Sequence, residues 1–512
     1  MKILSIPLVG HDASICVLED GVITSYKMEE RFSRIKHDIN FNNILDDLKD
    51  NFFDKIIITQ QFSDHKSRIE SLKEKIKKFS YDELIIEDKI HHLYHAYSGF
   101  YNSKFDEALC FSVDGIGAVD QDGNAELESI YLLKKNQKEK RLYLKERKLV
   151  HVQIGDTLWK QIPPSDMNDL SVGERFEKFS LDIGYTHLDG PGKVMGLAQY
   201  KNFKERLQFP HDSKEWKQRV DEAYALQQET QNHILNLIQK YTKETGIKNV
   251  VISGGYGLNC VANYHYLKNF KDINLFVDPI CFDAGISIGA AYYHYVNKSK
   301  IKPLQNAYIG YKEESYDLEG LQTKKVLYDD VVDLLLDQKV VALFQGRSEA
   351  GQRALGNRSL LFDPRNPIGK DIVNEIKRRE KFRPFAGTIL QEEAHKWFNM
   401  LSLKESPYMQ YAVDAYENTV EKVPAIIHAD NTCRIQTVTQ EQNEHFFNLI
   451  SCFYKKTDVP MLMNTSFNLG GEPLVEKFKH AITTLSKSKI DYLYLPEIKT
   501  LVTVKNTYLQ YV

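Results

Sequence analysis

Nowhere does this 512-residue chain carry an apolar run near the roughly 18 residues that a membrane-spanning helix needs, and its mean hydropathy is −0.43. Cysteine is scarce. The six (Cys16, Cys110, Cys260, Cys281, Cys433, Cys452) form no C-x-x-C pair and no regular spacing, which argues against a zinc ribbon or a disulfide scaffold and reads as buried thiols of a reducing compartment. Neither sign of charge dominates: 67 basic residues face 70 acidic ones for a net charge of −3, so nothing global draws the chain to a nucleic-acid backbone. Short-period repeats and low-complexity tracts are missing too. The opening MKILSIPLVGHDAS is interrupted by Gly10, His11 and Asp12 before any cleavage pattern, and is expected to be a first strand rather than a leader. The expectation is a cytoplasmic protein with no membrane partner and no nucleic-acid polymer as partner.

What the chain does have is length for two cores. Apolar runs at 3–8, 13–18 and 22–27, with a Glu19-Asp20-Gly21 turn, predict a β-meander. A related pattern recurs at 107–113 and 129–133, and 249–253 runs into Gly254-Gly255. Two strand–turn–strand units, each with an acidic residue near a strand end, suggest a duplicated α/β architecture with its ligand between lobes. Mixed apolar and charged spacing predicts helices at 42–50, 65–78, 88–103, 215–243, 261–269 and 284–296. The lysine-rich stretch around Pro303 reads as a linker. The expected division is therefore 1–302, a linker at 303–314, and a second α/β domain at 315–512, with strands near 340–344, 385–390 and 432–438 and helices near 328–337, 366–379 and 439–456.

Five constellations could carry chemistry. His11, in the Gly10–Ser14 loop, titrates near neutrality and could take a proton from a hydroxyl, or could be a turn histidine bonded to backbone. His91 and His95 stand at helical i, i+4 spacing and could share a metal with Asp114 and Asp283; the alternative is a histidine-rich helix face with two capping aspartates. Two glycine clusters, Ser253–Asn259 and Asp189–Gly196 with Lys193, would let a nucleotide approach the backbone, although each alone is more often a tight turn and neither is a Walker A loop. Arginines and lysines between small residues at 347–383 suit a polyanion pocket, or a surface salt-bridge network. The loop Asn464–Pro473 offers hydroxyls and amides to a ligand.

In combination and in order, GHDAS, EERFSRIKHD, HHLYH, SVDGIG, GPGKVMGLA, SGGYGLN, DAGISIGAA, GQRALGNRS, KRREKFRPFA, HADNTCRIQTV and NTSFNLGGEP resemble the carbamoyltransferase family of the NodU and cephalosporin type. The resemblance spans nearly the whole chain. It implies an actin-like N-terminal domain, similar to the enzyme that transfers threonylcarbamoyl to tRNA, and a YrdC-like C-terminal domain. The latter would convert carbamoyl phosphate and ATP, with Mg(II) accompanying the ATP, to carbamoyladenylate. The former would pass the carbamoyl group to a hydroxyl of a small acceptor: a natural product, a sugar or a hydroxymethyl-pyrimidine nucleotide. Carried over by motif, His91, His95, Asp114 and Asp283 are the expected ligands of a metal, usually iron(II). His11 is the expected base, with Lys36 nearby. Lys193, Gly254, Gly255 and Asn259 are expected at the nucleotide of the first domain, and Arg353, Arg358, Lys377, Arg383, Arg434, Asn464, Ser466 and Asn468 at carbamoyl phosphate and ATP in the second. A homodimer is compatible with the sequence. The competing functions are an actin-like sugar kinase or ATPase, which leaves the arginine-rich segment idle, threonylcarbamoyl transfer to tRNA, which the net charge disfavours, and a non-catalytic nucleotide-binding scaffold.

Overall fold

The computed structural model describes residues 1–49, 52–61, 66–88, 90–120, 122–154, 158–162, 167–186, 188–201 and 214–504. Its first sheet grows from the opening apolar runs: β1 (Lys2–Leu8), β2 (Ser14–Glu19) and β3 (Val22–Met28) form an antiparallel meander. The turn between β2 and β3 places Asp20 and Gly21 at φ of 47° and 82°, the backbone that a two-residue hairpin demands. After α1 (Glu29–Ser33), strand β4 (Phe52–Gln60), helix α2 (Lys66–Ile76) and strand β5 (Ser80–Asp88) extend the sheet in parallel to the order β3-β2-β1-β4-β5. β1 is thereby central. Every residue of it after Lys2 is buried, as continuous apolar strands are when both faces are covered.

α3 (His91–Asn102) leads to a second sheet on the same plan. β6 (Glu107–Val113), β7 (Asn124–Lys134) and β8 (Lys140–Lys148) form the meander. A hairpin of β9 (Val150–Ile154) and β10 (Leu158–Ile162) follows, then helices α4 (Val172–Asp182), α5 (Gly190–Ala198) and α6 (Lys214–Thr245). β11 (Asn249–Ser253), α7 (Cys260–Asn269) and β12 (Asn274–Val277) complete the parallel half, in the order β8-β7-β6-β11-β12. Two sheets with one strand order and one set of directions are the duplicated α/β plan of the actin-like fold. In each, the loop leaving the central strand carries polar residues: Gly10–Ala13 after β1 and Asp114–Gly117 after β6.

α3 and α8 (Ile286–His294) pack on one another, α3 against β6 and β11 and α8 against β1 and β2. A Cβ at Gly289 would overlap the carbonyl of Tyr94, so glycine sets how closely the two helices approach. All of α3 is buried, three histidines included. Buried imidazoles need polar partners, and α3 is therefore the element on which the site is built.

The rest of the chain forms one mixed nine-stranded sheet with helices. Its strands are β13 (Gln322–Lys325), β14 (Val341–Phe344), β15 (Arg358–Phe362), β16 (Ala386–Leu390), β17 (Ala412–Asp414), β18 (Thr432–Val438), β19 (Met461–Ser466), β20 (Tyr492–Leu495) and β21 (Thr500–Thr503). Their order is β13-β21-β20-β14-β15-β19-β16-β18-β17. The central β14, β15 and β16 are wholly buried; α9 (Tyr328–Leu336), α10 (Gly369–Ile376) and the helix Glu444–Thr457 belong to the same part of the chain. The α/β class expected from the sequence is present throughout. The nine-stranded sheet packs on the second five-stranded sheet's helices through a shared core and through polar contacts: the Tyr264 hydroxyl donates to the Asn399 carbonyl at 2.7 Å, the Asn263 amide to that of Gln410 at 3.0 Å, and the Tyr200 hydroxyl to that of Phe382 at 3.1 Å.

Two local expectations are corrected. Residues 42–47 form turns rather than the start of a helix, because the Glu29 carboxylate captures the backbone N–H groups of Asn43 and Ile44 at 2.9 and 3.0 Å, a side-chain bond that competes with helical pairing; residue 50 lies outside the described residues. The glycine cluster at 189–196 is not a loop but the start of α5, with Pro191 in its first turn, where proline's fixed φ favours a helix. The position of Gly289 yields a prediction: Gly289→Ala will destabilise the fold by about 1–3 kcal/mol, measured as a lowered urea midpoint with an unchanged m-value.

Candidate active site

The centre starts from α3. His91 opens the helix and His95 follows one turn later, so both rings leave the same face. Asp114 stands at the end of β6, where its Oδ1 accepts the Gly255 N–H at 3.0 Å. Asp283 opens the short 3₁₀ turn before α8. His91 Nε2 lies 3.2 Å from Asp114 Oδ2 and 3.5 Å from Asp283 Oδ1; His95 Nε2 lies 3.3 and 3.4 Å from the same two atoms. The four ligand atoms fall within 4.8 Å of one another, and all four residues are buried.

This arrangement fits a cation. His95 Nε2 has no hydrogen-bond partner among the described residues, although two carboxylate oxygens stand beside it. His91 Nε2 bonds Asp114 Oδ2 at 3.2 Å, and all four groups converge on the same space. Two imidazoles with two carboxylates suit Fe(II), Mn(II) or Zn(II). Burial opposes charge on His91, but Asp283 and Asp114 outweigh it and lift its pKa to about 10; burial likewise opposes ionisation of Asp114 and Asp283, and the histidines hold both below the usual range. His92, beside them, is pushed down to about 3 by burial and by His91. It bonds Ser129 Oγ at 2.9 Å and is not part of the cluster.

His11 stands next to this centre, its Nε2 3.7 Å from Asp283 Oδ2 and its Nδ1 2.8 Å from Asp12 Oδ2. Burial works against a charged ring, while Asp283 and Asp12 raise its pKa to about 10. A cation among the four ligands would cancel much of that pull, since it neutralises Asp283 and Asp114. Asp12, His37 and Asp189 extend the chain of polar groups. Asp12 Oδ1 meets His37 Nδ1 at 2.8 Å, His37 Nε2 lies 3.5 Å from Asp189 Oδ1, and Asp189 pairs with Lys36. Asp12 and His37 both hold positive φ, 59° and 57°, a conformation that non-glycine residues keep only where surrounding structure enforces it. Sequence reading quoted both residues inside their motifs without assigning them a role; the pairing of a G-H-D loop with a K-H-D turn was the available signal.

A single cavity of about 1710 Å³ runs from this centre to the nine-stranded sheet. His11, Asp114 and Asp283 line one end, Arg353, Lys377, Arg379, Arg383 and Arg434 the other, with Asn464, Ser466 and Asn468 beside them. Burial and the neighbouring Arg434 push Arg353 down to about 9. Lys377 is lowered by burial and by Arg379 and Arg383. So many cations in one place are a site awaiting anions. Arg434 Nε and Asn464 Oδ1 are buried with no hydrogen-bond partner among the described residues. Lys377 Nζ is held by the loop after β19: it donates to the carbonyl of Ser466 and to Asn468 Oδ1, the latter at 2.9 Å.

Four expected residues make other contacts. Arg358 does not line the cavity. It is fully buried, donates to the carbonyls of Gln345 and Asn357 at 2.5 and 3.0 Å, and stacks 3.7 Å from the Phe344 ring centroid, so it knits β14 to β15. Gly254 is likewise outside the cavity lining; a Cβ there would overlap the Val113 carbonyl, and its φ of 85° lets β11 close on β6 so that Gly255 reaches Asp114. Asn259 lines the cavity but caps α7, accepting the Ala262 N–H at 3.1 Å. Lys193 projects from α5 to Glu380 at 2.6 Å.

Comparison with known proteins agrees with both ends of the cavity. Residues 332–501, which include every cation of the basic cluster, match the family described as Carbamoyltransferase C-terminus, and residues 210–292, which include Asp283, match Carbamoyltransferase N-terminus. Nodulation protein NolO of Bradyrhizobium diazoefficiens is 30% identical over 429 residues, covering 79% of this chain and 77% of its own length. Nodulation protein NolNO of Sinorhizobium fredii is 29% identical over 539 residues, 94% of this chain and 78% of its own. Among solved structures, HypF of T. kodakarensis is similar over 57% of this chain and 47% of its own, with 14% identity and a TM-score of 0.40. With both family models matched and a relative 30% identical over 79% of its length, the chain belongs to the carbamoyltransferase family and is a carbamoyl-transferring enzyme.

Proposed function

We propose that the chain is an ATP-dependent O-carbamoyltransferase that makes carbamoyladenylate at the basic end of the cavity and transfers its carbamoyl group to an acceptor hydroxyl at the histidine–aspartate end. The observation that carries this reading is the continuity of the cavity between a polyanion-binding cluster and a cation-binding centre. The division of labour follows the chain: residues 1–302 for transfer, 303–314 as connection, 315–512 for activation.

At the basic end, Arg353, Lys377, Arg383 and Arg434 bind the phosphates of ATP, with its Mg(II), and of carbamoyl phosphate, and the amides and hydroxyl of Asn464, Ser466 and Asn468 hold the carbamoyl group. Water removes the phosphoryl group of carbamoyl phosphate, leaving carbamate and inorganic phosphate. A carbamate oxygen then attacks the α-phosphorus of ATP, pyrophosphate leaves, and the guanidinium groups stabilise the charge on the departing oxygens. The mixed anhydride is labile in water, so its passage inside a cavity protects it.

At the other end, His91, His95, Asp114 and Asp283 would hold a divalent metal, iron(II) in this reading. Such an ion, when bound, polarises a carbonyl oxygen as a Lewis acid. His11 accepts the proton of the acceptor hydroxyl as its oxygen attacks the carbamoyl carbon, and AMP is the leaving group. Asp12 fixes the ring from its far nitrogen, and Lys36, with Lys193 and Asn259, faces the nucleotide as it arrives. The acceptor is a small hydroxylated molecule. A cavity that also admits ATP leaves it the space between His11 and α4, lined by Leu170, Phe176 and Leu181.

Two predictions follow from this division. His11→Asn will leave carbamoyl-phosphate-dependent exchange of labelled pyrophosphate into ATP within about twofold of the parent, and will lower transfer to an acceptor by about 10²–10⁴-fold. Arg434→Ala will instead abolish the exchange; a kinase would release ADP without any need for carbamoyl phosphate. For the metal, adding Fe(II) or Mn(II) without oxygen to the metal-free protein will raise its melting temperature, as any ligand of the native state must. In His95→Ala that rise will vanish; an equal rise in parent and variant would refute the four-residue site.

A further inference from the structure

Residues 29–38 belong to the five-stranded half, yet two of their arginines, Arg31 and Arg34, donate to backbone carbonyls of the nine-stranded half. We infer that Arg34 is a positioning residue that clamps the loop 471–474 as the cavity wall between the two centres, so that the activated carbamoyl group reaches the acceptor before it reaches water. This inference rests on the two-centre reading above.

The loop after β19 is fastened at both ends. Near the activation cluster, Gly470 N–H donates to the Lys377 carbonyl at 2.7 Å, and Lys377 Nζ donates back to Asn468. At the far end, Arg34 donates one guanidinium N–H to the Leu474 carbonyl at 2.5 Å and another to the Pro473 carbonyl at 2.6 Å, with Glu472 4.0 Å away. Two charge-assisted bonds from one planar group to successive carbonyls fix orientation as well as distance. Between these anchors Asn468 Nδ2 donates to the Glu472 carbonyl at 2.5 Å, and Gly471, Glu472, Pro473 and Leu474 line the cavity.

Arg34 is itself held in place. It caps α1 at a φ of 64°, its N–H bonded to the Glu30 carbonyl at 3.0 Å. The segment is laced to the His11 loop by Glu29 N–H to the Ala13 carbonyl at 2.8 Å and Ala13 N–H to the Asp38 carbonyl at 2.9 Å. Arg31, one turn earlier, donates to the Gly351 carbonyl at 2.8 Å. Lys477 lies 4.9 Å above the Phe32 ring. A single short segment thus spans from the transfer base to the wall of the activation site, and Arg34 is the bond that would release the wall without touching either centre.

The leak that such a release allows is hydrolysis. Water attacks the carbamoyl carbon, the bond to the AMP oxygen breaks, and the products are AMP and carbamic acid, which decomposes to carbon dioxide and ammonia. The experiment supplies ATP and carbamoyl phosphate to the whole protein without an acceptor, and reads two rates: exchange of labelled pyrophosphate into ATP, and net AMP release. In the parent chain exchange will exceed AMP release. In Arg34→Ala exchange will stay within about twofold while AMP release rises about tenfold, the scale of losing hydrogen bonds from a charged group. Arg34→Lys, which keeps a charged donor, will fall between the two. If both rates drop together in Arg34→Ala and Arg34→Lys, Arg34 merely supports the fold and the inference fails alone. Absence of exchange in the parent chain would overturn the two-centre reading and this inference with it.

Discussion

Two carboxylates buried side by side are the constraint around which this protein is arranged. Asp114 and Asp283 present their oxygens within 4.8 Å of each other and of two imidazoles, both residues buried at the end of the cavity. Like charges so placed repel by about 4 kcal/mol even at a generous effective dielectric, and each has also lost its hydration. They persist because histidines on a wholly buried helix face them, and because the centre is shaped to take a cation. The remainder of the fold serves to bring them together. Asp114 comes from the end of the second sheet's central strand, Asp283 from the turn before α8, and the histidines from α3, whose contact with α8 depends on Gly289.

Duplication explains why the acid–base residues sit where they do. The loop after β1 and the loop after β6 leave equivalent strands of the two sheets, so the first supplies His11 and Asp12 where the second supplies Asp114. The nine-stranded sheet then closes the remaining side with cations. Carboxylates and imidazoles thus gather at one end of the cavity and guanidinium and ammonium groups at the other; in the proposed function the first end serves a metal and a proton acceptor and the second the phosphates. Segment 29–38 joins the two ends mechanically.

Much of this was legible in the residues. Apolar runs located β1, β2, β6 and β11, since strands covered on both faces must be continuously apolar, and the Glu19-Asp20-Gly21 turn located β3 after them. The i, i+4 histidines announced a shared point because helix geometry leaves little choice, and small residues between arginines pointed to a pocket. Other features were not legible because they depend on partners distant in sequence. Whether Gly254 cradles a phosphate or admits the Val113 carbonyl is decided by the packing of β11 on β6. Arg358 reads like its neighbours Arg353 and Arg434, but its strand register turns it into the core against Phe344. The bridge from Asp12 to His37 joins residues 25 apart through two backbones at positive φ; the G-H-D and K-H-D motifs are visible in the sequence, but that they meet is decided by the fold.

The account rests on one claim above the others: a carbamoyl group activated at the arginines arrives on a hydroxyl at the histidine centre. The direct measurement is mass spectrometry of a panel of hydroxylated metabolites incubated with the iron-loaded protein, ATP and carbon-13 carbamoyl phosphate. The account predicts that at least one member gains a labelled carbamoyl group, with AMP formed in equal amount. Formation of ADP instead, or neither labelled product nor AMP with any member of the panel, would contradict it.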